Sequence, residues 1–144
     1  MVQLLEPMEA SMQMKPVLML SLIAGLSACL EKPAARVPTG AEDFATYCAA
    51  CHGTGGKGDG EVSETLGKKP ANLTSLAARN KGAFPMTRVM SKIWGYAQVD
   101  GVVMPAFAPL LDTDLVLFDG GDGIATPTPL RLVQLGEYVK TLQQ

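Results

Sequence analysis

Apolar positions recur at helical spacing in three places along this chain. Near the C-terminus Leu132, Leu135, Val139 and Leu142 line one face, with Thr128 placed to cap that helix and Pro129 suited to its first position. Pro85 to Trp94 predicts a second helix, in which Met86, Val89 and Ile93 are apolar. Gly40 to Ala50 predicts an earlier one, with Phe44 and Tyr47 or Cys48 on a shared face. Long irregular connections separate them. One connection differs: an apolar run from Leu111 to Phe118, broken by Asp112 and Asp114, leads into Asp119-Gly120-Gly121-Asp122-Gly123. That order suggests a short hairpin or lid. The spacing and closing glutamate of an EF-hand are absent, so the aspartates read as turn residues.

The N-terminal part follows another pattern. Val17 to Leu26 is an apolar run too short to span a bilayer and suited to the core of a signal peptide. It ends in Leu26-Ser27-Ala28-Cys29, which resembles a bacterial lipobox, so Cys29 is expected to carry lipid. Residues 1–15 hold Glu6 and Glu9 against Lys15, an acidic start for a signal; beginning at Met14 would give a compact basic one. The expected organisation is a signal peptide over 1–28, a Pro-bearing tether over 29–38 and one folded domain over 39–144. The expected location is the periplasm, anchored to a bacterial membrane. Leu30, where an aspartate would retain the protein at the inner membrane, hints at the outer one.

Charge narrows the partners. The 144 residues carry a formal −2, which becomes −1 once Glu6, Glu9 and Lys15 are removed (11 basic against 12 acidic residues). Basic residues concentrate in the middle, at Lys57, Lys68, Lys69, Arg79, Lys81, Arg88 and Lys92. Acidic ones follow at Asp100, Asp112, Asp114, Asp119 and Asp122. Such asymmetry can orient docking to a redox protein, and nothing in it suggests nucleic acid.

The chemistry is concentrated in Cys48-Ala49-Ala50-Cys51-His52. C-x-x-C-H is the pattern of covalent haem attachment: each thiol adds to one vinyl group, and the histidine ligates the iron. A dithiol redox site has no need of the histidine, and no strand pattern precedes Cys48. A zinc site needs four ligands, whereas His52 is the only histidine and Cys29 the only other cysteine. The glycine-rich stretch Gly53 to Gly60 lacks the Lys-Ser/Thr ending of a phosphate-binding loop. Its glycines are expected to let the backbone wrap closely around the haem. For the sixth iron ligand the domain offers Met86, Met90, Met104 or a lysine. Met86 and Met90 are four apart on the expected middle helix, where core packing explains them equally well.

Over residues 39–144 the chain resembles the class I cytochrome c family. The resemblance implies an all-α fold of three to four helices wrapped around one covalent haem c, here with a short hairpin before the C-terminal helix. It implies that the first and last helices cross, with Phe44 and Tyr138 as aromatic partners and Gly40, Leu135 or Gly136 near the contact. Met104-Pro105 matches the family's Met-Pro opposite the haem, which selects Met104 as sixth ligand. Pro70 matches the family proline whose carbonyl accepts a hydrogen bond from the axial histidine. Trp94 and Tyr96 are candidates to cover the haem edge or bond its propionates, and Arg88 to neutralise one; burial or a surface role fits these three as well.

The expected function is that of a monomeric, membrane-tethered electron carrier, not an enzyme, serving a quinol-oxidising complex, a terminal oxidase or a dehydrogenase. Two alternatives remain: a gas sensor or peroxidase-like protein with a labile sixth ligand, and a dedicated electron-transfer subunit of one dehydrogenase.

Overall fold

The computed structural model describes residues 36–96 and 103–144; the expected signal peptide, Cys29 and most of the tether lie outside them. The elements run in the order α1 (Gly40–Tyr47), α2 (Ala49–His52), three single 3-10 turns (Ser63–Thr65, Leu73–Ser75, Ala78–Asn80), α3 (Met86–Trp94), α4 (Ala108–Leu111), β1 (Leu115–Asp119), β2 (Ala125–Pro129) and α5 (Leu130–Thr141). No helix among the described residues is long and apolar enough to cross a membrane.

Helix α1 starts at a reciprocal cap. The Glu42 amide donates to the Thr39 hydroxyl, and the Thr39 amide donates to the Glu42 carboxylate, so two orphan N–H groups are satisfied at once. The expected single helix from Gly40 to Ala50 is in fact two segments. Hydrogen bonds from Cys48 N to Phe44 O and from His52 N to Cys48 O carry the ladder across, but φ opens to −115° at Cys48. No Gly or Pro marks that break, which is why periodicity missed it.

Helix α1 packs across α5. A side chain at Gly40 would overlap the Gln134 carbonyl, and Phe44 meets Tyr138 with ring centroids 5.2 Å apart. Gly136 serves a different crossing, facing Met86 and Met90 of α3. Around these contacts the core gathers Phe44, Met86, Met90, Ile93, Leu111, Leu132, Leu135 and Val139, all buried. The apolar stripe of α5 is thus split between two partners, and burial of such stripes is what holds short helices together.

The run after Leu111 forms an antiparallel hairpin, so the fold is helical with a small two-stranded sheet rather than all-α. Its register pairs Leu115 with Pro129, Leu117 with Pro127 and Asp119 with Ala125. Leu130 N donates to Asp114 O, which makes 114/130, 116/128 and 118/126 the hydrogen-bonded pairs. Pro127 and Pro129 therefore sit where no ladder N–H is required, and they deprive the outer edge of β2 of donors. At the turn Asp119 Oδ1 accepts from the amides of Gly121, Asp122 and Gly123, which holds its carboxyl below the usual range.

Helix α5 does not begin as expected. Thr128 lies in β2 with its hydroxyl on Thr126 O, and Pro129 is the N-cap residue. The first α5 amides are met from outside: Leu130 N by Asp114 O and Arg131 N by the Thr113 hydroxyl. A cap supplied by distant residues leaves no mark in the local sequence.

Candidate functional site

Cys48 and Cys51 stand three residues apart at the head of a single helical turn, both as free thiols, with His52 directly after them. The segment that follows folds back on this turn. Gly58 N donates to His52 O, Gly60 N to Cys51 O and Val62 N to Ala50 O, so the turn's last carbonyls are all satisfied by the loop. Glycine is required here for space: a Cβ on Gly60 would overlap the Ala50 carbonyl, and one on Gly58, already at φ +80°, would lie 2.5 Å from Pro70 O. The glycines thus bring the loop against the attachment turn and against residues 70–71.

That second approach sets the histidine. His52 Nδ1 lies 2.9 Å from Ala71 O. A carbonyl can only accept, so Nδ1 carries the proton and the neutral ring keeps its lone pair on Nε2. The acceptor is Ala71, one residue beyond the expected Pro70, and both carbonyls lie close beside Gly58. The shelf bearing Ala71 is braced from several sides. Asn72 Oδ1 accepts from the amide and hydroxyl of the buried Thr74, and Arg79 donates to Asn72 O. From the C-terminus, Gln143 Nε2 donates to Leu73 O and Gln144 N to Thr74 O.

A haem joined through two thioethers fits this arrangement: two thiols one helical turn apart, and a histidine whose anchored Nδ1 leaves the Nε2 lone pair available to a metal. Before attachment, burial first, then the charges of Asp43 and Cys51, pushes the Cys48 thiol up to about 12. Among the methionines, Met86 and Met90 are buried against Gly136. Met104 is half-buried against the core. Its segment returns to the end of α3, where Phe107 N donates to Ile93 O and Gly95 abuts Ala106.

The three flanking candidates separate. Trp94 packs on the core, with Tyr96 6.3 Å away between ring centroids. Tyr96 is 80 % exposed, and Arg88 is also exposed.

One pair was not legible in the sequence. Asp43 is 2 % exposed and takes a bidentate grip from Arg131: Nε to Oδ2 at 3.0 Å and Nη2 to Oδ1 at 2.5 Å. Arg131 Nη1 also donates to Leu110 O, and its guanidinium lies 5.9 Å from the centre of the Tyr47 ring. The hydrogen bond to Asp43 raises the already high guanidinium pKa. Asp43 in a first helical turn reads as a solvated acid, and its partner is 88 residues away.

The sequence model of the family described as "Cytochrome C oxidase, cbb3-type, subunit III" matches residues 35–116. No curated protein and no solved structure matches the chain.

Proposed function

Since the chain belongs to the family of cbb3-type cytochrome c oxidase subunit III, a family of haem-binding electron-transfer cytochromes, we propose that it is a mono-haem carrier delivering single electrons to a terminal oxidase, with His52 and Met104 as the axial ligands. Membership implies covalently bound haem c, and Cys48 and Cys51 have the spacing of its two thioethers. The haem supplies the Fe(II)/Fe(III) couple; the polypeptide supplies ligands, burial and a docking surface.

The hydrogen bond from His52 Nδ1 to Ala71 O carries the reading. It fixes the tautomer and orientation of the ring and makes Nε2 a stronger donor to a metal. Support for Met104 comes from the packing of Met86 and Met90, which are engaged in the α3–α5 crossing. A thioether opposite an imidazole favours the reduced iron and raises the potential. Lipid on Cys29 would hold the domain at the periplasmic face of a membrane while the tether lets it reorient. The family's description favours a fixed oxidase subunit over a free shuttle, and co-purification with the oxidase separates the two.

The test is the visible spectrum of the haem-loaded protein, oxidised, reduced, and reduced under carbon monoxide. The expected result is a low-spin spectrum that carbon monoxide leaves unchanged, with the weak far-red band of ferric iron bound to thioether. Met104→Ala should lose that band and bind carbon monoxide. A high-spin spectrum or prompt carbon monoxide binding in the unaltered protein would replace electron carriage with sensing or peroxidase chemistry.

A further inference from the structure

The hairpin presents an apolar surface built from residues other than those of the attachment turn. Of the large apolar side chains exposed among the described residues, Leu110, Leu115, Leu117 and Ile124 fall within one short stretch. Leu115 and Leu117, 62 % and 75 % exposed, alternate with the half-buried Val116 and Phe118, so both project from the outer face of β1. Their cross-strand neighbours Pro129 and Pro127 extend the same face. Isolated exposed leucines need no explanation, but a contiguous apolar face on a sheet marks an interaction site.

This face is preformed. Phe118 packs against the core, and the Thr87 hydroxyl donates to Gly120 O at the turn. Bonds from Leu130 N to Asp114 O and from Arg131 N to Thr113 Oγ1 fasten the other end. Docking on it would cost little ordering entropy.

Charge identifies the occupant. Residues 103–130 contain Asp112, Asp114, Asp119 and Asp122, all exposed, and no Lys or Arg. An apolar face with an acidic surround complements an apolar centre with a basic rim. A two-fold pair of such faces would set aspartates against aspartates. Docking onto the chain's own basic middle would be head-to-tail, building a ring or a filament rather than the monomer expected from the sequence. Strand addition along β2 is denied by its prolines. An anionic lipid surface would repel the aspartates. We propose that the outer face of the hairpin, centred on Leu115 and Leu117, docks a different protein whose contact surface is apolar at its centre and ringed by Lys and Arg. The proposal goes beyond the electron-carrier reading and does not depend on the iron's ligands.

The experiment places benzoylphenylalanine at position 117, and as a control at the exposed position 64, in the full-length haem-loaded protein within its own host cells. After irradiation the adducts are mapped by mass spectrometry. The expected result is a position-117 adduct with one protein, at a segment bearing Lys or Arg, that falls at least ~5-fold in Asp112→Lys/Asp114→Lys and at ~0.5 M salt. Adducts with lipid, adducts with a second copy, no adduct above the control, or an adduct indifferent to the charge swap would each overturn it. The absorbance spectrum of the same preparations reports separately on the haem, so failure here is distinct from failure of the haem assignment.

Discussion

Two glycine-rich segments of this protein look alike in composition and do opposite things. Residues 53–60 and 120–123 both mix glycine with aspartate, and both hold glycines at positive φ: Gly53, Gly56 and Gly58 in the first, Gly121 and Gly123 in the second. In the first, added side chains at Gly58 and Gly60 would strike the backbone at Pro70 and Ala50; in the second, those at Gly121 and Gly123 would meet nothing within 4 Å. The first segment spends its amides on the carbonyls of the attachment turn, the second on the carboxylate of Asp119. Glycine is thus demanded at Gly58, beside His52, by space as well as conformation, and at Gly121 and Gly123 by conformation alone. The distinction lies in what the backbone approaches, which composition does not record.

The largest expected effect comes from the pair that joins the two regions. Asp43 lies in the helix leading to Cys48, and Arg131 directly follows the hairpin. Arg131→Ala should destabilise the haem-loaded protein by about 3–5 kcal/mol in urea unfolding, because it leaves a buried carboxylate without its cation. The double change Asp43→Leu/Arg131→Leu should recover most of that loss, and a single-variant cost below about 1 kcal/mol would show the regions to be independent. Next, Gly60→Ala should cost about 2–3 kcal/mol and lower the fraction of chains carrying haem, since its Cβ has no room beside Ala50. Gly121→Ala should cost about 1 kcal/mol, from left-handed φ alone, and leave the haem spectrum unchanged. Equal losses from the two glycine variants would erase the contrast.

Smallest is the effect of acid on the tip. The Asp119 carboxyl is held below its ordinary range in the folded state, by the Gly121 and Gly123 amides above all. Its contribution is therefore complete above the ordinary carboxylate pKa and is lost as pH falls through the depressed folded value. Asp119→Ala should lower Tm slightly at neutral pH and by less at about pH 3, read by thermal melts at both.

The sequence exposed what depends on neighbours and hid what depends on distance. Met86, Met90 and Ile93 recur at helical spacing, so α3 was legible to within a residue. The Thr39-x-x-Glu42 cap is local too, yet apolar spacing alone did not reveal it. The start of α5 was displaced from Thr128 because Thr113 and Asp114 supply its partners. At the site, Cys48, Cys51 and His52 stood out as a motif, whereas the choice of Ala71 over Pro70 is a one-residue difference in how a segment 19 positions away folds against the histidine. The burial of Asp43 left no mark in the sequence, because its partner Arg131 lies 88 positions away.

The brace on the Ala71 shelf has a consequence in time rather than in space. Gln143 and Gln144 hold Leu73 and Thr74 in place, and Gln143 grips a carbonyl 70 positions earlier. A chain that emerges N-terminus first presents Cys48, Cys51 and His52 before the residues that brace the Ala71 shelf. Contacts of such long separation form late, because loop closure must precede them. The attachment turn is therefore expected to stay pliable, and open to the machinery that joins haem to it, until α5 docks and Gln143 braces the shelf against His52.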